Sequence, residues 1–205
     1  MTKIEIYPTA EWIKENFENT LLLVNKFNLT NLGTLLSTLG ERYAICPCST
    51  RKEYYSSFPG GLAYHNLHVL KWMNKLTGIL CEPSEISKES MLKVAILHEI
   101  GKVGDVEKDY YVRQDNDYHN QRGMYYEVNS NIQYMKIADR SLYWVHESHI
   151  HLTTDEYLAI LLHDGQNDEE NASYKYKEPK LAILLQQAEQ YARRLEKDSI
   201  IHWPE

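Results

Sequence analysis

At 205 residues, 43% of them hydrophobic and 25% charged, the chain is long enough to bury a sizeable core. Its net charge of −7 and the lack of a long basic run argue against electrostatic capture of duplex nucleic acid, though a local basic pocket for a nucleotide or a strand end stays open. No stretch approaches a membrane span and no leader-like segment opens the chain, so the expected setting is cytoplasmic, with no membrane partner.

In chain order, residues 9–27 have the period of an amphipathic helix, with Thr9 as N-cap and Trp12, Phe17, Leu21 and Val24 near one face. Residues 31–39 give a second, shorter helix that Gly40 stops. Residues 44–61 break the pattern with Pro47, Pro59, Gly60 and Gly61, and this loop carries Arg51. The odd cysteine count (Cys46, Cys48, Cys81) and the tight Cys46-Pro47-Cys48 spacing point to reduced thiols rather than a disulfide framework or a zinc site. Residues 62–80 form a strong helix whose stripe includes His65, with His68 at its edge as a packing or surface residue. A connection over 81–90 offers Ser87 or Ser90 as a cap for the next helix.

That next helix is the centre of the sequence. Residues 91, 94, 95 and 98 share one face, so His98 points toward the core, with Glu99 beside it and Lys102 a turn later. An imidazole, a carboxylate and an ammonium at a buried helix end are costly unless something compensates them. A bound cation and an anionic substrate would do so; the alternative is an ordinary core histidine beside a solvated Glu and Lys.

Residues 104–131 are polar and tyrosine-rich without a clear period, which predicts a long loop, with at most a short hairpin at 110–112. The 16 tyrosines are expected to pack rather than to stack bases. Asp139 is expected to cap a helix through Val145, and Thr153 or Thr154 to start another that ends at His163-Asp164-Gly165. Residues 164–173 read as an acidic loop, and His146, His149 and His151 as surface histidines. A last amphipathic helix spans 178–197, with Glu189 bordering its apolar stripe. The expected architecture is all-α, with strand content near zero.

Three helices thus bring His65, His98 with Glu99, and Glu189 to apolar faces. Two imidazoles and two carboxylates suit a divalent ion such as Mn, Mg, Fe, Co or Zn. Lys102 and Arg51 could hold phosphate oxygens, and His163 with Asp164 could bind a second ion or move a proton.

This order of residues resembles the HD superfamily of metal-dependent phosphohydrolases. Gly60-Gly61-Leu62 ahead of His65, Gly101-Lys102 after the doublet and Ala188-Glu189 look like the family's landmarks. Ser49-Thr50-Arg51, Pro59 to His65, Arg140-Ser141-Leu142, His163-Asp164-Gly165-Gln166 and Glu178-Pro179-Lys180-Leu181 are similar to a branch common in tailed-phage genomes, itself similar to the HD module of bacterial 3′→5′ exoribonucleases. The likeness covers about residues 44–197, with 1–43 as N-terminal helices packed on that core in one domain over 1–205. Two positions depart from the family: His98-Glu99 stands for His-Asp, and Glu189 for the final Asp.

The resemblance implies a helical HD bundle in which His65, His98, Glu99 and Glu189 hold a divalent ion. It implies hydrolysis of a phosphate ester or anhydride by metal-activated water. The expected substrate is a nucleotide or other phosphorylated small molecule, met by Arg51 and Lys102, in the host cytoplasm if the chain is phage-encoded. Two alternatives stand beside this reading. One is a 3′→5′ exonuclease on short single-stranded nucleic acid, with Tyr54, Tyr55, Tyr110 and Tyr111 as stacking platforms. The other is a non-catalytic module that binds a nucleotide or a partner protein.

Overall fold

The helical periods of the sequence become helices in a computed structural model of the chain, which describes residues 3–82 and 85–202. Expectations that touch residues 1–2, 83–84 and 203–205, at the ends of the 1–205 domain and inside the 81–90 connection, lie outside the described residues. A two-residue strand, β1 (Glu5–Ile6), opens the described chain. Helix α1 (Ala10–Lys26) starts where expected, the Thr9 hydroxyl accepting from the amide of Trp12. Helix α2 (Thr30–Leu39) buries Leu32, Leu35, Leu36 and Leu39 and stops at Gly40. A further short helix, α3 (Glu41–Ile45), precedes the loop and seats Tyr43 in the core.

Helix α4 (Gly61–Leu80) leaves the loop at a point only glycine fits: a Cβ on Gly61 would lie 2.0 Å from the carbonyl oxygen of Ser56. Helix α5 (Lys88–Leu97) is capped by Ser87, whose hydroxyl accepts from the amide of Ser90, and is buried from Met91 onward. The stretch expected as a loop over 104–131 carries more structure than its composition signals. Strand β2 (Tyr111–Arg113), a single helical turn and a half in α6 (Asp117–Gln121), and β3 (Tyr126–Val128) make an antiparallel hairpin with Tyr111 opposite Val128. A backbone bridge between Arg51 and Met124 ties this hairpin to the loop before α4.

Helix α7 (Ile137–Glu147) begins earlier than its sequence suggests. Lys136, still extended, is the N-cap, and Asp139 lies in the first turn, where its charge suits the helix dipole without capping. Helix α8 (Thr154–Leu161) has a full capping box between Thr153 and Glu156. Residues expected as an acidic loop after it coil into 3-10 turns at Gly165–Asn167 and Glu169–Tyr174. Helix α9 (Lys180–Lys197) starts after extended Pro179 rather than at Glu178, and β4 (Ile200–Ile201) then pairs in parallel with β1. The fold is all-α: α9 packs on α4 and α8, α5 on α4 and α8, and α1 on α2, α3 and α4, while the strands among the described residues are two or three residues each.

One buried ion pair holds α5 to α8. Lys93 Nζ lies 2.9 Å from Glu156 Oε1, and Glu156 Oε2 also accepts from the amide of Thr153 at 2.9 Å. Burial raises the carboxyl's pKa, but the Thr153 amide and Lys93 outweigh it and hold it below the usual range. A depressed folded pKa stabilises the fold above the unfolded value, and that contribution fades as pH falls through it. Glu156→Ala is expected to cost about 2 kcal/mol, since it leaves the buried Lys93 ammonium with only the half-exposed Glu89, 3.3 Å away. Glu156→Gln is expected to flatten the acid limb of stability, read by urea unfolding on both sides of the carboxyl's unfolded pKa.

Candidate metal centre

The apolar helix α5 does not carry its period through the histidine. His98 is its C-cap, and the chain then tightens into a 3-10 turn, Ile100–Val103, closed by Gly104 at φ +111°. A 3-10 turn eclipses residues three apart. Lys102 therefore folds over Glu99 instead of following His98 down the helix face, and its ammonium pairs directly with Glu99 Oε1. The turn sits tightly on α7: Ser141 Oγ accepts from the amide of Gly101 and donates to the carbonyl of His98 at 3.0 Å. A Cβ on Gly101 would lie 2.6 Å from the carbonyl of Ile137, which explains the glycine.

Around this turn the structure gathers the expected ligand set. His65 from α4, His98 and Glu99 from the end of α5, and Glu189 from α9 each offer one atom, and these atoms all lie within 4.8 Å of one another. All four residues are buried. His65 Nε2 is 3.7 Å from Glu99 Oε2, and His98 Nε2 is 3.8 Å from Glu189 Oε1.

The protons on both imidazoles follow from their other nitrogens. His98 Nδ1 lies 3.0 Å from the carbonyl of Ala95, which can only accept, so Nδ1 carries the hydrogen and Nε2 a bare lone pair. His65 Nδ1 faces both oxygens of Glu196 at 2.9 and 3.1 Å. Glu196 is ionised: burial works against it, but His65 and His68 bring its carboxyl down to about 2. His65 thus donates from Nδ1 and also presents a bare Nε2. Both Nε2 atoms are buried without a hydrogen-bond partner, and Glu189 Oε1 pairs with Arg193 and otherwise faces only the His98 nitrogen. Orphaned acceptors of this kind are expensive unless a cation fills the space between them. The donor set of two imidazole nitrogens and two carboxylates could hold a metal ion of the borderline or hard divalent kind.

The electrostatics are lopsided. Burial would raise the Glu99 carboxyl, but Lys102, His65 and Arg193 hold it well below the usual range. Glu189 goes the other way, raised by burial that Arg193 only partly offsets. Burial pushes the His98 imidazole well down, keeping it neutral and able to ligate. Glu99 is also the more crowded: Tyr55 donates its hydroxyl to Oε1 at 2.7 Å, Arg193 Nη2 reaches the same oxygen at 3.1 Å, and Cys48 donates its thiol to Oε2 at 2.9 Å.

Of the other residues singled out in the sequence, His163 is buried, its ring edge-on to His98 with centroids 5.3 Å apart. It repeats the arrangement of His98, giving its Nδ1–H to a carbonyl three residues back, Ile160, at 2.8 Å. Asp164 is half exposed, 3.6 Å from both His163 Nε2 and Arg193 Nη2. Arg51 is not brought to the centre; it is exposed on the strand-like bridge to Met124. The loop of Arg51 contributes Cys48, Tyr55 and Ser56 instead. The guanidinium at the centre is that of Arg193, whose Cζ lies 4.7 Å from the Tyr55 ring centroid. His146, His149 and His151 are on the surface, as expected.

Sequence reasoning missed Glu196 and Arg193, and it named Tyr55 and Cys48 only as a stacking platform and a reduced thiol, not as partners of Glu99. Glu196 and Arg193 fall seven and four residues after Glu189, on the same face of α9, and that spacing was the available signal. His68, at the edge of its stripe, packs inward: its Nδ1 lies 2.8 Å from Glu196 and its Nε2 accepts from the indole of Trp72. Comparison with protein-family models, with curated proteins and with solved structures finds no match for this chain. Among the described residues no helix is long and apolar enough to cross a membrane.

Proposed function

We propose that the chain is a metal-dependent phosphohydrolase of the HD type, acting on a nucleotide or another phosphorylated small molecule. The observation that carries this reading is the convergence of two bare, buried imidazole nitrogens with Glu99 and Glu189 on one point. The order of motifs along the chain, which resembles that family, supports it. A divalent ion held there would supply a more acidic water and positive charge toward phosphoryl oxygens.

The chain's own groups divide the remaining work. Lys102 is buried and committed to Glu99 and to the Tyr55 hydroxyl at 2.8 Å, so it fixes the ligand carboxylate rather than gripping substrate. Arg193 is the cation beside the ligands that reaches solvent, along a cavity of about 570 Å³ walled by Asp164, Asp168, Glu169 and Glu170. Its planar fork suits a phosphate. His163 and Asp164, at the edge of the ligand set, are placed to take or return a proton. The exonuclease alternative draws less support, because Tyr55 has its hydroxyl on Glu99 and two cations close to its ring, 4.9 and 4.7 Å from the centroid, which removes it as a stacking platform.

The test is a panel of nucleoside mono- and triphosphates with Mn²⁺-loaded protein. Release of phosphate, pyrophosphate or triphosphate, lost in His98→Ala, is the expected result. Silence across the panel with metal demonstrably bound would overturn the enzymatic reading and leave the binding module.

A further inference from the structure

Arg193 holds a position that a metal-binding centre should not tolerate. Its Nη2 pairs directly with Glu189 Oε1 and lies 3.1 Å from Glu99 Oε1, and both carboxylates belong to the ligand set. A guanidinium on two of the four ligands and a divalent cation among all four are like charges competing for the same oxygens. Without a metal the arrangement makes sense, because Glu189 is buried and Arg193 is the cation that offsets it.

Three features make this hold releasable. The contacts to the carboxylates all run through Nη2, and Nε is buried with no partner at all. The side chain is 29% exposed, so one end of it already meets solvent in the cavity beside the centre. That cavity offers acids to receive it: Asp164 Oδ1 is already 3.6 Å from Nη2, and Glu169 lies on the same wall. Asp168 and Glu170 are engaged by Lys136, at 3.1 and 2.8 Å, which leaves Asp164 and Glu169 as the open partners.

We propose that Arg193 is an exchangeable counter-ion. It neutralises Glu189 and Glu99 while the centre holds no metal, and it moves to the acids of the cavity when a divalent cation takes those carboxylates. The inference rests on the metal-dependent reading and adds an order to it. The guanidinium leaves Glu189 and Glu99 for the solvent-facing cavity only as the metal enters, so its contact with a substrate phosphate follows metal binding.

Mn²⁺ titration of the whole protein, by calorimetry, tests this without any turnover. Arg193→Gln removes the competing charge and is expected to lower the Kd for Mn²⁺ at least tenfold; Arg193→Lys, which keeps a charge but loses the fork, is expected to fall between. Asp164→Asn is expected to weaken Mn²⁺ binding when Arg193 is present and to do much less in the Arg193→Gln background. An Arg193→Gln protein that binds Mn²⁺ no tighter than wild type, or an Asp164→Asn effect equal in both backgrounds, would overturn the exchange. A wild-type protein that takes up no Mn²⁺ would instead remove the metal reading beneath it, so the two failures are told apart.

Discussion

Replacing His98 with alanine is expected to empty the metal centre. The wild-type protein should retain about one equivalent of a divalent ion after gel filtration, and His98→Ala should bind it at least about 100-fold more weakly, since loss of an outer partner alone costs 10- to 100-fold. The reason lies in the paired nitrogens. His98 Nε2 is one of two bare lone pairs facing the carboxylates, and nothing else within the buried cluster replaces it. Burial already keeps this imidazole neutral, so no proton has to leave before it ligates. Elemental analysis of both proteins, with thermal unfolding to show that the variant is folded, gives the answer. Equal metal content in the two would show that the ion sits elsewhere.

The second large effect is expected at a residue outside the candidate ligand set that holds one of its histidines. Glu196→Gln should lower metal affinity by about 10- to 100-fold, as changes to the groups that orient ligating histidines do. Glu196 receives hydrogens from His65 Nδ1, from His68 Nδ1 and from the hydroxyl of Ser56. Indole nitrogen can only donate, so the bond from Trp72 to His68 Nε2 forces the His68 hydrogen onto Nδ1, toward Glu196. A carboxylate accepts all three; an amide presents donors of its own to groups that are already donating. One imidazole must then turn or change tautomer, and if it is His65, its Nε2 no longer points at Glu99. Calorimetric titration with Mn²⁺ reads this directly. An unchanged affinity would mean that the ring of His65 is held by packing alone, against Tyr55 and His98.

Long helices with a strong apolar period were legible in the sequence because one face of each is buried, and burial is what periodicity records. The candidate ligands His65, His98, Glu99 and Glu189 were legible for a related reason: polar groups on apolar stripes stand out. Arg193 and Glu196 did not, because α9 is rich in charge along its second half and the apolar contrast fades there. Arg51 drew attention as the arginine of a glycine- and proline-rich loop, yet that loop points its small groups, Cys48 and Ser56, inward and leaves the arginine outside. The two-residue strands β1 and β4 have no period to detect, and of the hairpin β2–β3 only the first arm was offered, as a short hairpin at 110–112, because polar residues separate it from the second. Asp139 looked like a cap because helix starts are usually marked by such a side chain; α7 starts on the extended backbone of Lys136 instead.

Helix α9 supplies both Glu189 and Glu196, the last candidate ligand and the anchor of the first. Synthesis runs from the N-terminus, so α4 and α5 are made well before either carboxylate exists. Until α9 docks, His65 has no fixed tautomer and the imidazoles of α4 and α5 have no carboxylate from a third helix to close around an ion. During synthesis the four candidate ligands are therefore all present only once α9 has been made. A chain that stops short of α9 carries both histidines and Glu99 but not the means to complete the site. A divalent ion held by all four groups would report that the final helix has been made and has found its place.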